Sequence, residues 1–217
     1  DDKKSLSESL AKNVLKISEQ SIKNKGYFSI VLAGGKSPIE LYKVLKKSSS
    51  DWERWHIYIG DERFLPVKDV ERNDYIIEKF WLNDSLVTRD NIFFIKAELG
   101  MLDAKKDYES TLKEVEKFDV VLLSMGEDGH TVSLFPNHSY TKNDDVVLVY
   151  NSPKIPKERI SMSYSRLNKA KNVFKIIMGE SKQEAINLWL QGNRLPINQI
   201  NGDNEKVYIC KDALTKN

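Results

Sequence analysis

The sequence predicts a three-layer α/β fold in which a mostly parallel sheet lies between two layers of helices. Short apolar runs alternate with amphipathic helical segments along nearly the whole chain, as in parallel sheets with helical crossovers. Several of these runs end directly in glycine-rich or charged turns, as buried parallel strands do. No internal repeat, low-complexity linker or change of composition divides residues 1–217, so we expect a single domain.

Composition limits the classes of protein to which the chain can belong. Its 217 residues, 40% hydrophobic and 30% charged, fit one globular domain with a sizeable core. A net charge of +2 gives no general case for nucleic-acid binding. The single cysteine, Cys210, leaves no intrachain disulfide, and we expect it to be a buried core residue of a cytoplasmic protein. No apolar stretch approaches the ~18 residues of a membrane span.

The first predicted element is a long amphipathic helix. Ser5 and Glu8 form a capping-box pattern at its start. Lys25 and Gly26 supply the basic last turn and the glycine that end it. The apolar run over residues 27–33 then predicts the first strand.

A glycine turn, GGKSP at residues 34–38, joins this strand to a second helix. Gly34 and Gly35 permit close backbone approach, Ser37 is predicted as the N-cap, and Glu40 completes a second capping box. Unpaired backbone N–H groups and the positive end of the helix dipole would make this turn a site for an anion. An ordinary tight connection explains the same residues equally well, so both alternatives stay open at this point.

The remaining elements follow from the same patterns. Apolar and β-branched runs predict strands at residues 55–59, 92–95, 120–123, 146–150, 159–164, 173–178 and 207–210. Amphipathic segments predict helices after Asp69 and at residues 103–117, 165–170 and 183–191. Three tryptophans, Trp52, Trp55 and Trp81, are expected to pack in the core.

Polar turns recur where these strands end or the next helices begin. Besides the glycine turn they are GDER, MGEDGHT, SPKIPKER and GESK, at residues 60–63, 125–131, 152–159 and 179–182. Because ligands of open α/β sheets bind beyond the carboxyl ends of the strands, we expect these turns to share one site. An isolated histidine such as His130 is usually a surface residue of a polar loop, but the coincidence of several turns favours a functional one.

Two groups of side chains suggest two roles in binding one small molecule. A dianionic phosphate would be bound by the glycine turn, Gly34, Gly35, Lys36 and Ser37, together with Lys154, Arg159 or Lys182. The other end of the molecule would be acted on by Asp61, Arg63, Asp128 and His130.

Taken together, the motifs resemble those of the 6-phosphogluconolactonase family. The resemblance extends over residues 32–159, and its most specific part is DGHT followed by SLFP within residues 128–136. It implies the Rossmann-like fold shared with glucosamine-6-phosphate deaminases and ribose-5-phosphate isomerases. Two departures stand out: Lys36 replaces a small hydroxyl residue, and Glu127 replaces a frequent proline.

The resemblance implies hydrolysis of 6-phospho-D-glucono-1,5-lactone to 6-phospho-D-gluconate, in the oxidative pentose phosphate pathway. Free imidazole titrates at about pH 6.5, so His130 can serve as the base that activates water. Either Asp61 or Asp128 can fix its tautomer, and Arg63 can offset negative charge on the oxyanion. Backbone N–H groups at residues 126–129 are further oxyanion candidates.

We expect neither a cofactor nor a metal. The types of residue that ligate metals are present at Asp61, Glu62, Asp128 and His130, but the proposed hydrolysis needs no metal. The chain has no G-x-S-x-G elbow, so a covalent serine intermediate is not expected.

Two alternatives remain. A related deaminase or isomerase of sugar phosphates would carry Asn-Glu soon after the histidine, where this chain has Ser133, Leu134, Phe135 and Pro136. A sugar-phosphate sensor without catalysis would bind its ligand without turnover. For partners, we expect only the small-molecule lactone, no nucleic acid and no membrane, and a monomer. Because the chain begins without Met, we also expect a domain excised from a longer chain, in which it is fused to or works with glucose-6-phosphate dehydrogenase.

Overall fold

Residues 2–214 are described by a computed structural model. The helices are α1 Lys3–Lys25, α2 Ile39–Lys46, α3 Asn73–Phe80, α4 Met101–Lys113, α5 Tyr164–Asn168 and α6 Gln183–Leu190. The strands are β1 Phe28–Leu32, β2 Trp55–Ile59, β3 Asp61–Arg63, β4 Ile92–Phe93, β5 Val120–Ser124, β6 Val146–Val149, β7 Arg159–Met162, β8 Asn172–Ile177 and β9 Asn204–Ile209.

The main sheet has six strands in the order β4-β2-β1-β5-β8-β9, and every pairing in it is parallel. From β1 the chain steps one way through β2 to β4, and from β5 it steps the other way through β8 to β9. Since parallel crossovers are right-handed, the two directions place helices on opposite faces. The α/β prediction is confirmed, and strands β1 and β5 mark the point where the strand order reverses.

A second, smaller sheet was not predicted. Strands β3, β7 and β6 form an antiparallel sheet of three, to which the expected strands near residues 146–150 and 159–164 belong. Gly60 connects the two sheets, because its N–H donates to Leu32 in β1 and its carbonyl accepts from Met162 in β7. The charged run Asp61–Arg63, expected as a loop, is therefore the strand β3.

The starts of α1, α2 and α3 differ from the predictions in how they are capped. Helix α1 begins at Lys3 with Asp2 as N-cap, whose carboxylate accepts from the N–H of Ser5, so Ser5 is not the cap. Helix α2 has Pro38 at its N-cap position and no side-chain cap, so the second capping box is also wrong.

Helix α3 starts at Asn73, later than the segment after Asp69 suggested, and Val70 lies outside it with 65% of its surface exposed. Its first N–H groups, those of Asn73 and Asp74, donate to the buried carboxylate of Glu62, at 2.8 and 2.9 Å. A long-range carboxylate thus caps this helix, and the local sequence gives no sign of it.

The core is continuous around the main sheet. All five residues of β1 are buried, as are the first four of β5. Trp52, Trp55 and Trp81 pack against one another in it, with ring centroids 4.6–5.8 Å apart, as predicted. Cys210 is also buried, as expected. Within residues 2–214, no helix combines the length and the apolar character needed to cross a membrane.

Candidate active site

A cleft of about 300 Å³ lies beyond the carboxyl ends of β1, β2, β5 and β8. This is the crevice beside the point where the strand order reverses, which is the usual ligand site of an open α/β sheet. Its walls are built from the turns that follow those four strands and from the loop between β6 and β7.

The cleft brings together nearly all of the side chains that the sequence singled out. Those that line it are Gly34, Gly35, Lys36, Ser37, Asp61, Arg63, His130, Lys154, Arg159 and Lys182. Asp128 does not line this cleft, but its carboxylate is hydrogen-bonded to Nδ1 of His130, which does. One surface thus holds both the proposed phosphate site and the proposed reacting groups.

His130 forms a close pair with Asp128. Its Nδ1 is hydrogen-bonded to Asp128 Oδ1, and its backbone N–H donates to the same oxygen at 3.2 Å. Burial raises the pKa of Asp128, but the hydrogen bonds from His130 outweigh it and lower that pKa to about 2. An ionised carboxylate only accepts, so Nδ1 carries the proton and the neutral ring keeps its lone pair on Nε2. Of the two carboxylates considered, Asp128 is the one that contacts the imidazole.

Gly126 makes room for this imidazole. A Cβ at Gly126 would lie 2.0 Å from the His130 ring. Its N–H donates to the His130 carbonyl at 2.8 Å, and the N–H of Gly129 donates to the Gly126 carbonyl at 3.2 Å. Two of the amides expected as oxyanion donors are therefore occupied within the turn, and that expectation is wrong for both.

Asp61 is fixed by residues to which the sequence gave no role. Its Oδ2 accepts from the Ser133 hydroxyl at 2.6 Å, and its Oδ1 accepts from the Asn73 amide at 3.1 Å. Ser133, Asn73 and Asp61 are all buried. Asp61 thus offers a rigid carboxylate to the cleft and makes no hydrogen bond to His130. Motif matching quoted Ser133 and Asn73, but their contacts with Asp61 join distant parts of the chain.

The glycine turn faces Asn73 closely. A Cβ at Gly34 would lie 2.1 Å from Asn73 Oδ1, so only glycine fits. Ser37 does not cap helix α2. Its hydroxyl makes no hydrogen bond with another residue of 2–214, and Ser37 lines the cleft, so the hydroxyl is available to a ligand. Lys36 is exposed at the rim of the cleft.

The basic residues of the cleft are not equivalent. Lys182 Nζ has no hydrogen-bond or ion-pair partner within the described residues, and burial lowers its pKa. Arg159 is buried, and its Nε and Nη2 donate to the carbonyls of Pro156 and Ile155, at 3.0 and 3.1 Å. Arg159 therefore shapes the loop that carries Lys154.

Two further cations of the cleft already have partners. Lys154 Nζ lies 2.8 Å from Glu127 Oε2, across the mouth of the cleft. Arg63 Nη1 donates to the Glu71 carbonyl. Lys182, like the exposed Lys36, is thus a cation that a phosphate can contact without displacing a partner among residues 2–214, whereas Lys154 is already paired with Glu127.

Val132, which sequence reasoning missed, also lines the cleft, with a φ of 47°. A β-branched residue rarely adopts this left-handed conformation, which costs about 1–3 kcal/mol and tends to occur at functional sites. Its side chain lies over Gly60, where a Cβ would come within 2.5 Å of Val132 Cγ1. The sequence carries no signal for this conformation.

Among residues 2–214, no group of three or more His, Cys, Asp or Glu side chains is arranged to hold a metal ion. Asp128 and His130 face each other, while Asp61 is held by Ser133 and Asn73 and Glu62 caps α3.

Comparison with known proteins agrees with this geometry. The family model described as glucosamine-6-phosphate isomerases/6-phosphogluconolactonase matches residues 1–209. The chain belongs to this family. The match covers the helices and strands from α1 to β9, so it includes every turn that lines the cleft.

Individual relatives carry the second name of this family. A probable 6-phosphogluconolactonase 2 of Oryza sativa subsp. indica is 32% identical, over 87% of this chain and 74% of the relative. A chloroplastic 6-phosphogluconolactonase 3 of Arabidopsis thaliana is 31% identical, over 95% of this chain and 70% of the relative. The crystal structure of 6-phosphogluconolactonase from Thermotoga maritima superposes with a TM-score of 0.87 at 25% identity, covering 94% of each chain.

Proposed function

We propose that the protein hydrolyses 6-phospho-D-glucono-1,5-lactone to 6-phospho-D-gluconate. The observation that carries this proposal is the Asp128–His130 pair, which leaves His130 Nε2 as a base in a cleft that also offers a phosphate site. The activity named for the family's relatives from rice and Arabidopsis supports the same reaction.

In the first step, His130 Nε2 takes a proton from a water molecule as the water oxygen bonds to C1 of the lactone. The tetrahedral intermediate carries a negative charge on the former carbonyl oxygen. Arg63 is the cation proposed to offset this charge, because the Gly126 and Gly129 amides are occupied. The bond from C1 to the ring oxygen then breaks, and the imidazolium returns its proton to that oxygen. Asp128 stays ionised and holds the ring throughout.

The phosphate end of the substrate is assigned to the glycine turn and Lys182, which line the same cleft. Residues 34–37 offer a glycine turn, the free Ser37 hydroxyl and the start of α2, and Lys182 offers a positive charge without a partner. An anion at the start of a helix is stabilised by the dipole and by unpaired N–H groups. Lys154 joins this site once it separates from Glu127.

A deaminase or isomerase of amino-sugar phosphates is the alternative within the same family. Those enzymes carry Asn-Glu soon after the histidine, where this chain has the segment Ser133, Leu134, Phe135 and Pro136. The chain therefore has no carboxylate at that position. We expect no ammonia release from glucosamine 6-phosphate under conditions in which the lactone is hydrolysed, and the opposite result would favour the alternative.

Replacing His130 tests the proposal. A general base contributes about 10²–10⁴-fold, so kcat of His130→Ala for the lactone should fall by about that factor. His138→Ala is the matched control, because His138 is exposed and lies outside the cleft. Within residues 2–214 its ring nitrogens are hydrogen-bonded only to the Pro136 and Asn151 carbonyls. Wild-type kcat in His130→Ala would refute the base assignment. Phosphate-dependent binding without turnover in the wild type would instead favour a sensor.

The setting of the enzyme is also proposed. We propose that it acts in the cytoplasm, as a monomer, in the oxidative pentose phosphate pathway and fused to or working with glucose-6-phosphate dehydrogenase. Some plant relatives are chloroplastic, so imaging of the tagged, full-length protein in its own cell is the appropriate test of location. Light scattering tests the oligomeric state.

A further inference from the structure

We propose that Glu127 is a built-in competitor of the substrate phosphate for Lys154, which weakens phosphate binding and so favours release of the product. The inference deepens the proposed function and rests on it for the identity of the ligand. It concerns a residue that differs from the pattern which the family often shows. Its basis is a single ion pair and the charges around it.

The ion pair crosses the mouth of the cleft. Glu127 lies in the turn after β5, Lys154 lies in the loop between β6 and β7, and Glu127 Oε2 is 2.8 Å from Lys154 Nζ. Both residues line the cleft. A carboxylate of the protein therefore occupies a cation that a bound phosphate would need.

The surroundings make this contact reversible. The side chains of Glu127 and Lys154 are 58% and 37% exposed, and exposed ion pairs contribute little to stability. Lys182 also lines the cleft, and the hydrogen bond from Lys154, the charge of Lys154 and the charge of Lys182 together lower the pKa of Glu127. Glu127 therefore interacts with both cations, and its carboxylate stays ionised at neutral pH.

A dianionic phosphate bound in the cleft competes with Glu127 for Lys154. Two negative charges beside Lys182 attract Lys154 more strongly than one carboxylate does, so Lys154 leaves Glu127 when the substrate binds. Glu127 then lies unpaired near the phosphate and repels it. This repulsion acts on the phosphate of the lactone and on that of the product alike, so Glu127 lowers the affinity for both. Because product release limits many enzymes, weaker product binding favours turnover.

Glu127→Gln removes the competitor while keeping the size of the side chain. The variant should bind inorganic phosphate about two- to fivefold more tightly by calorimetry, a range set by the small contribution of an exposed ion pair. KM for the lactone and the inhibition constant of 6-phosphogluconate should fall by a similar factor, without a rise in kcat. Glu19→Gln removes the same charge from an exposed position on α1 and should leave these quantities unchanged.

A double-mutant cycle separates competition from a general charge effect. In the Lys154→Gln background, Glu127→Gln should lose most of its gain in phosphate affinity, since the shared partner is gone. Equal or weaker phosphate binding by Glu127→Gln, or a full gain without Lys154, would overturn the inference, as would no phosphate binding in either form. These results do not depend on turnover. A wild type that binds phosphate but does not hydrolyse the lactone would contradict the proposed function and leave the competition standing.

Discussion

At the scale of single residues, the chemistry depends on which nitrogen of His130 carries a proton. Asp128 decides this, because its ionised carboxylate can only accept a hydrogen bond and takes one from Nδ1. The histidine and aspartate were both predicted from the DGH motif. The choice between Asp61 and Asp128 needed the structure, since either one could have reached the ring from sequence alone.

Gly126→Ala should disable the base without unfolding the protein. The new Cβ would lie 2.0 Å from the His130 ring, so the imidazole must move. A displacement of this kind can cost about 10²-fold in kcat. The ring belongs to a side chain beside an open cleft, so the melting temperature should change by only a few degrees. Wild-type kcat in this variant, or loss of cooperative unfolding, would contradict this explanation.

Asp128→Asn should lower kcat by about 10²–10⁴-fold, because an amide can donate to Nδ1 and then stabilises the wrong tautomer. Comparing kcat of the variant and the wild type measures this effect.

In the wild type, the pKa of Asp128 is lowered to about 2, so the carboxylate stays ionised down to pH values near 2. The profile of kcat/KM between pH 4 and 8 should therefore lose activity on the acid side by the uptake of one proton only. An acid limb with a slope of two would show that Asp128 titrates in the same range.

At the scale of secondary-structure elements, a buried carboxylate fixes the starts of three strands. Asp119 precedes β5, and its Oδ2 accepts from the Ser29 N–H of β1 at 2.9 Å. Lys25, at the end of α1, and Lys171, just before β8, pair with it at 2.8 and 3.0 Å. Strands β1, β5 and β8 all contribute turns to the cleft at their opposite ends, so this junction also sets their register there.

Asp119→Asn should destabilise the fold by about 1–3 kcal/mol at pH 7, the cost of weakening the hydrogen bonds of a buried group. The two lysines left behind are partly exposed and do not become buried charges. Burial raises the pKa of Asp119, but its bonds to Lys25, Ser29 and Lys171 outweigh this and hold the pKa below 3.8. The stabilisation is therefore present above pH 3.8 and is lost as the pH falls through the lower, folded-state value.

Urea denaturation at pH 7 and near pH 3 measures both effects of Asp119→Asn, and the difference from wild type should shrink at the lower pH. Asp107→Asn breaks the exposed ion pair with Lys96 and serves as the control, with an expected loss below about 1 kcal/mol. A difference that grows on acidification would contradict the assignment of Asp119.

The helices and strands that were predicted correctly are those whose sequence pattern lies within the element itself. The buried runs of β1 and β5 are continuous and apolar, and the end of α1 at Lys25 and Gly26 follows from C-terminal signals within one turn. Strand β3 and the start of α3 were missed because partners far along the chain decide them. Strand β3 exists by pairing with β7, and α3 is capped by Glu62.

At the scale of the whole molecule, the topology assembles the site. Parallel strands have their carboxyl ends at one edge, so turns up to about 150 residues apart in sequence come together in one cleft, from residue 34 to residue 182. This rule suffices to predict most of the charged residues that line the cleft, but it does not predict Val132. It does not supply the contacts among them: Ser133 and Asn73 on Asp61, or Glu127 on Lys154.

A crystal structure with 6-phospho-D-gluconate bound tests the central claim most directly, which is that one cleft binds the two ends of one substrate. The phosphate should lie against residues 34–37 and Lys182, with the C1 carboxylate within about 3 Å of His130 Nε2. A phosphate bound away from residues 34–37, or a C1 carboxylate turned away from His130, would contradict the account.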